Sequence, residues 1–119
     1  MYTFEQLKED VRKEAEALKI HATQEERERL SIEELDPNHA RRCIYGLATG
    51  ECDSPRASKL IKKCAPIYID SESDQHRIKT VDHFREYHWS PIEYYITLPE
   101  AKNANLIAYL RGETETLEL

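Results

Sequence analysis

The stretch DPNHARRCIYGLATGECDSPRASKLIKKC, residues 36–64, decides the fold. It carries the same helix-start signal twice, Asp36 before Pro37 and Ser54 before Pro55. A short polar side chain at the N-cap accepts an orphan backbone N–H, and proline at N1 lacks a donor the helix could not use. A helix opened at Pro37 presents Ala40, Cys43, Ile44 and Leu47 on one face, and Gly50 is its stop. A helix opened at Pro55 presents Ala57, Leu60, Ile61 and Cys64, and Pro66 ends it. Residues 38–64 therefore read as an αα-hairpin with its turn at Gly50–Asp53. Leu60 and Ile61 are expected to pack on Ile44 and Leu47.

N-terminal to the hairpin, Thr3 and Gln6 form a capping box, with Tyr2 and Leu7 placed as its hydrophobic staple. Phe4, Leu7, Val11, Ala15 and Leu18 follow at helical spacing, which predicts a long amphipathic helix ending near Ile20–Ala22. Glu9, Arg12, Lys13 and Glu16 are expected on its wet side. Two more capping boxes, Thr23 with Glu26 and Ser31 with Glu34, predict short elements before Asp36.

C-terminal to the hairpin, Ile67-Tyr68-Ile69 reads as a short strand, residues 70–77 as a polar loop, and Ile78–His88 is ambiguous. Ser90-Pro91-Ile92-Glu93 is a further capping box, with Trp89 and Tyr94 as its staple. The alternation of Ile92, Tyr94, Ile96 and Leu98 would also suit a strand, but the complete cap favours a helix. Ala104–Leu110 reads as a helix stopped by Gly112. The alternating tail, residues 113–119, is a partner for Ile67–Ile69 in a minor two-stranded β-ribbon. The expected fold is thus mainly α: one helical domain over residues 1–119, built around a central αα-hairpin.

A chain of 119 residues has the size of one ordinary domain, which buries roughly 65% of its unfolded surface. With 39% hydrophobic and 34% charged residues it is polar, yet too apolar for a disordered chain. No run is apolar enough to cross a bilayer, and Met1–Glu5 lacks the basic start and apolar stretch of a signal peptide. Three cysteines, an odd number, fit free thiols or metal ligands better than a disulfide framework. The expected location is cytoplasmic. The net charge of −6 argues against a surface that is basic throughout. Its distribution is uneven: residues 1–36 carry 6 basic and 11 acidic side chains, residues 37–64 carry 6 and 2, and residues 65–119 carry 5 and 10. A basic middle stands between acidic flanks.

Three groupings could carry chemistry. His39, Cys43, Cys52 and Cys64, spaced H-x3-C-x8-C-x11-C, could hold zinc if the hairpin closes and His39 and Cys43 share a helix face. The set lacks a C-x2-C knuckle, and Cys43 and Cys64 equally suit slots in an apolar stripe. Arg41, Arg42, Arg56, Lys59, Lys62 and Lys63 make the hairpin basic, as a nucleic-acid-binding helix pair would be; a solvated face that pairs with the acidic flanks explains the same residues. Asp82, His83, Tyr87 and His88, with His76 nearby, could supply a general base, but no nucleophile or glycine-rich loop accompanies them.

The segments Arg42–Gly50, Ser54–Ala57, Ser90–Glu93 and Leu106–Glu115 resemble short proteins of Bacteroidetes and their phages. That resemblance implies a bacterial or phage cytosolic setting and transfers no activity and no functional residues. The residues point to a non-enzymatic protein-interaction or accessory module, with a protein partner or self-association and no membrane. Tyr45, Tyr94, Tyr95 and Tyr109 are its candidate contacts, since tyrosine suits interfaces with one wet end. The alternatives are a small nucleic-acid-binding regulator using residues 37–64 and a zinc-stabilised structural domain.

Overall fold

The computed structural model describes residues 3–65, 68–70, 78–79 and 88–119. Among them the chain is mainly helical: α1 (Phe4–His21), α2 (Gln24–Glu28), α3 (Ile44–Thr49), α4 (Pro55–Cys64), α5 (Pro91–Tyr95) and α6 (Asn103–Arg111). Three short strands, β1 (Tyr68–Asp70), β2 (Ile78–Lys79) and β3 (His88–Trp89), form an antiparallel sheet in the order β2-β1-β3. Its register pairs Ile69 with Ile78 on one side and with Trp89 on the other.

The caps form where the spacing places them. Thr3 accepts from the Gln6 N–H while Gln6 accepts from the Thr3 N–H, and Thr23/Glu26 and Ser90/Glu93 repeat this reciprocal box. Ser54 caps α4 with Pro55 at N1, and Gly112 ends α6 in the left-handed conformation. The Trp89 and Tyr94 rings lie 6.1 Å apart, so the staple of α5 closes, and residues 91–95 are helix rather than strand. The Tyr2 staple of α1 lies outside the described residues.

Three expectations are corrected. The first hairpin helix begins at Ile44, not at Pro37. Asp36 Oδ1 accepts from the Asn38 N–H at 3.0 Å, but residues 37–42 form successive turns and the cap of α3 is Cys43. The turns fold back over α3, and Gly46 makes room for them: a Cβ there would stand 2.3 Å from Ala40 O. The Ser31 box yields only a turn at Ile32–Glu34. The tail, residues 113–119, is not a strand; Asn105 holds it beside α6 by donating to Thr116 O (3.0 Å) and accepting from the Glu118 N–H (2.7 Å).

α1 packs on α4, α5 and α6, and α3 packs on α4 as a short αα-hairpin. Leu7, Val11, Ala15 and Leu18 of α1 share one apolar core with Ile44, Leu60, Ile61, Ile69, Ile92, Leu106 and Leu110, and Leu47 is half-buried against it. Glu9, Lys13 and Glu16 face water, and Arg12 is half-buried. Among the described residues no helix is long and apolar enough to cross a membrane.

Candidate functional site: a buried acid and thiol network

α1 carries one carboxylate on its apolar stripe. Glu14 stands between Val11 and Leu18 and is 0% exposed. Its Oε1 accepts from the Ile92 N–H at 2.7 Å, and its Oε2 accepts from the Tyr45 hydroxyl at 2.5 Å. Ile92 is the second residue of α5, so Glu14 satisfies an orphan N–H at that helix start beside the Ser90 cap. The Ser90 hydroxyl also bonds Glu14.

A second buried carboxyl adjoins the first. Glu93 Oε1 accepts from the Ser90 N–H at 3.1 Å, and Ser90 Oγ accepts from the Glu93 N–H at 3.3 Å. Ser90 therefore links the two acids. The Cys43 thiol contacts Glu93, and Cys52, half-exposed in the turn after α3, contacts Cys43. Cys43 Sγ accepts from the Gly46 N–H at 3.3 Å as the α3 cap and lies 3.9 Å from Ala40 O. The resulting polar chain runs from Cys52 at the surface through Cys43, Glu93 and Ser90 to Glu14 and Tyr45.

Burial sets the protonation of this chain. Removal from water favours the neutral form of an acid. It pushes Glu14 up to about 7, although hydrogen bonds from Tyr45, Ile92 and Ser90 hold the rise back. Glu93 is raised well above the usual carboxyl range by burial first, then by Cys43 and Glu14. Tyr45 is raised by burial and by the Glu14 charge. The neighbouring Cys52 thiol and burial push the Cys43 thiol up, and burial beside Glu14 pushes Cys64 up to about 12. Cysteine reactivity needs the thiolate, and burial helps hold the Cys43 and Cys64 thiols in the neutral form.

The network is also closed. Among the described residues, the buried side-chain nitrogen and oxygen atoms without a partner are Arg27 Nε and Asn103 Oδ1, neither of them in it. Glu14, Glu93 and Ser90 are absent from the sequence-based candidates. The available signal is positional: Glu14 completes a Leu7–Val11–Glu14–Leu18 stripe, and a charge inside such a stripe needs buried partners.

The zinc set does not converge. His39 is exposed and its Nδ1 accepts from the Arg41 N–H at 3.1 Å. Cys43 and Cys52 meet at Ala40 O, while Cys64 is buried on α4. Among the described residues no three His, Cys, Asp or Glu side chains are grouped to hold a metal ion. The six hairpin cations divide. Arg56 forks onto Glu26 at 2.7 and 2.9 Å and also donates to His21 O; Arg42 donates to Glu34 O. Arg41, Lys59, Lys62 and Lys63 are exposed. Of the tyrosines, Tyr45 and Tyr95 are core, Tyr94 is half-buried against Trp89, and Tyr109 is half-buried under Lys19 Nζ at 4.2 Å. His76, Asp82, His83 and Tyr87 lie outside the described residues, as does the side chain of His88. Compared with known proteins, the chain matches no family model, no curated protein and no solved structure.

Proposed function

We propose that the protein is a cytoplasmic interaction module of a bacterial or phage system, acting by binding another protein rather than by catalysis. The observation that carries this reading is the closed network: among the described residues Glu14, Glu93 and Tyr45, groups with catalytic chemistry, are buried and bonded inward. A general base or nucleophile must reach its substrate atom within hydrogen-bond distance, and these groups face inward. The surface offers a partner Ile20, 75% exposed at the end of α1, and Ile32, 48% exposed in the turn after α2.

A second reading has its own support. Lys59, Lys62 and Lys63 project from α4 without an ion-pair partner among the described residues, a face suited to phosphates. Co-purification from source cells, with and without nuclease, separates the two. The expected outcome is a stoichiometric protein partner that survives nuclease and is lost in Ile20→Asp. Bound material that disappears with nuclease, and in Lys59→Glu/Lys63→Glu, replaces the first reading by the second. A free monomer at native abundance overturns both.

A further inference from the structure

The turn after α3 brings the Cys52 backbone and the Cys43 thiol onto one backbone carbonyl. Gly50, at φ 102°, reverses the chain at the end of α3. Cys52 then donates its N–H to Ala40 O at 2.8 Å, the same oxygen that lies 3.9 Å from Cys43 Sγ. The Cys43 and Cys52 side chains are therefore neighbours around Ala40 O. Their exposure differs: Cys52 is half-exposed, whereas Cys43 is 3% exposed and sits behind it. Cys64 is buried on α4.

We propose that Cys52 and Cys43 form a thiol modification site, in which Cys52 attacks a small-molecule disulfide from solvent, such as glutathione disulfide, and Cys43 resolves the adduct. In the first step the Cys52 thiolate attacks one sulfur of glutathione disulfide. The glutathione S–S bond breaks, a Cys52–glutathione bond forms, and one glutathione thiolate leaves. In the second step Cys43 sulfur attacks Cys52 sulfur and the second glutathione departs, taking up the Cys43 proton. Two protein thiols have lost two electrons and two protons, and one glutathione disulfide has become two thiols. The buried thiol is a weak nucleophile, but contact gives it a large effective concentration.

The product keeps the cap of α3. A disulfide sulfur keeps its lone pairs, so Cys43 can still accept from the Gly46 N–H and cap α3.

The reduced full-length protein, equilibrated with glutathione disulfide at mildly alkaline pH and acid-quenched, is analysed by intact mass and peptide mapping. The expected product has lost two hydrogens, links Cys43 to Cys52, and leaves Cys64 alkylatable only after unfolding. Cys43→Ser, which keeps a favoured N-cap residue, should stop at a single glutathione adduct on Cys52. Cys52→Ser should stay reduced. Wild-type protein that remains reduced, stops at the adduct, or links Cys64 overturns the proposal.

Discussion

Tyr45 and Glu14 illustrate how one side chain can set a property of the whole protein. The Tyr45 hydroxyl is one of the donors that keep the buried Glu14 carboxyl from rising further. Tyr45→Phe removes that donor and leaves a carboxyl oxygen short of a partner. The expected cost is about 1–2 kcal/mol at neutral pH, with the Glu14 titration displaced upward. Chemical denaturation measures the first effect and carbon-detected NMR of the carboxyl the second; an unmoved titration would refute the role assigned to Tyr45. Gly46 answers a different constraint. Its helical backbone leaves no room for a methyl group against Ala40 O and the Arg41 backbone, atoms that cannot swing aside. Gly46→Ala gains helix propensity of about 1 kcal/mol, yet it should destabilise by roughly 3 kcal/mol because overpacking against rigid backbone outweighs that gain. A stabilised Gly46→Ala protein would show that the 37–42 turns do not rest on α3.

The elements are joined by arginines at helix C-termini. Arg56 donates to His21 O at the end of α1, Arg29 to Ala48 O near the end of α3, and Arg27 to Leu110 O near the end of α6. Arg111 of α6 returns the contact, donating to Glu28 O and Leu30 O at the end of α2. The last carbonyls of a helix lack intrahelical donors and carry partial negative charge, so a guanidinium there satisfies both needs. α2 has five residues, too few to be stable alone. It is held by its capping box, by the Arg56–Glu26 fork and by Arg111. Arg111→Ala should therefore cost about 1.5–3 kcal/mol and raise amide exchange in α2 and the last turn of α6 before it does so in α1. Uniform acceleration across all helices would count against this clasp.

Over the whole molecule, two carboxylates pull the pH dependence in opposite directions. The Arg56 fork holds Glu26 at about 2, below its ordinary 4.5. A lowered folded pKa gives stability that is present above the unfolded value and lost as pH falls through the folded one. Glu14, raised to about 7, binds its proton more tightly when folded. Its contribution is complete below 4.5 and is lost as pH rises to about 7, for a total of about 3 kcal/mol at 1.36 kcal/mol per unit. Glu93, also raised, adds in the same direction. Stability should therefore peak near pH 5 and fall toward neutrality, as urea midpoints between about pH 3 and about pH 8 would show. Glu14→Gln, which cannot ionise, should flatten the falling limb. A midpoint that climbs from pH 5 to pH 7 in the wild type would contradict the protonation described for the buried network.

The sequence by itself determined the start of most helices and the stop of α6. Thr3/Gln6, Thr23/Glu26, Ser54/Pro55, Ser90/Glu93 and Gly112 act through hydrogen bonds or backbone preferences within a few residues, so neighbouring letters suffice to read them. The apolar stripes of α1 and α4 were legible for the same reason: helical periodicity is local. Only the tertiary structure decided that Pro37 does not open a helix: Cys43 caps α3, and the preceding turns lie against Gly46 through Ala40 and Arg41. It also decided which charges are internal. Glu14 meets Ile92 across 78 residues and Tyr45 across 31, and Arg111 meets Leu30 across 81. The Ser31 box failed where the Thr23 box held; Glu26 of the latter is anchored by Arg56, 30 residues away. A charged side chain reads as solvated until a distant partner takes it out of water, and that partner is fixed by the packing of helices rather than by spacing along the chain.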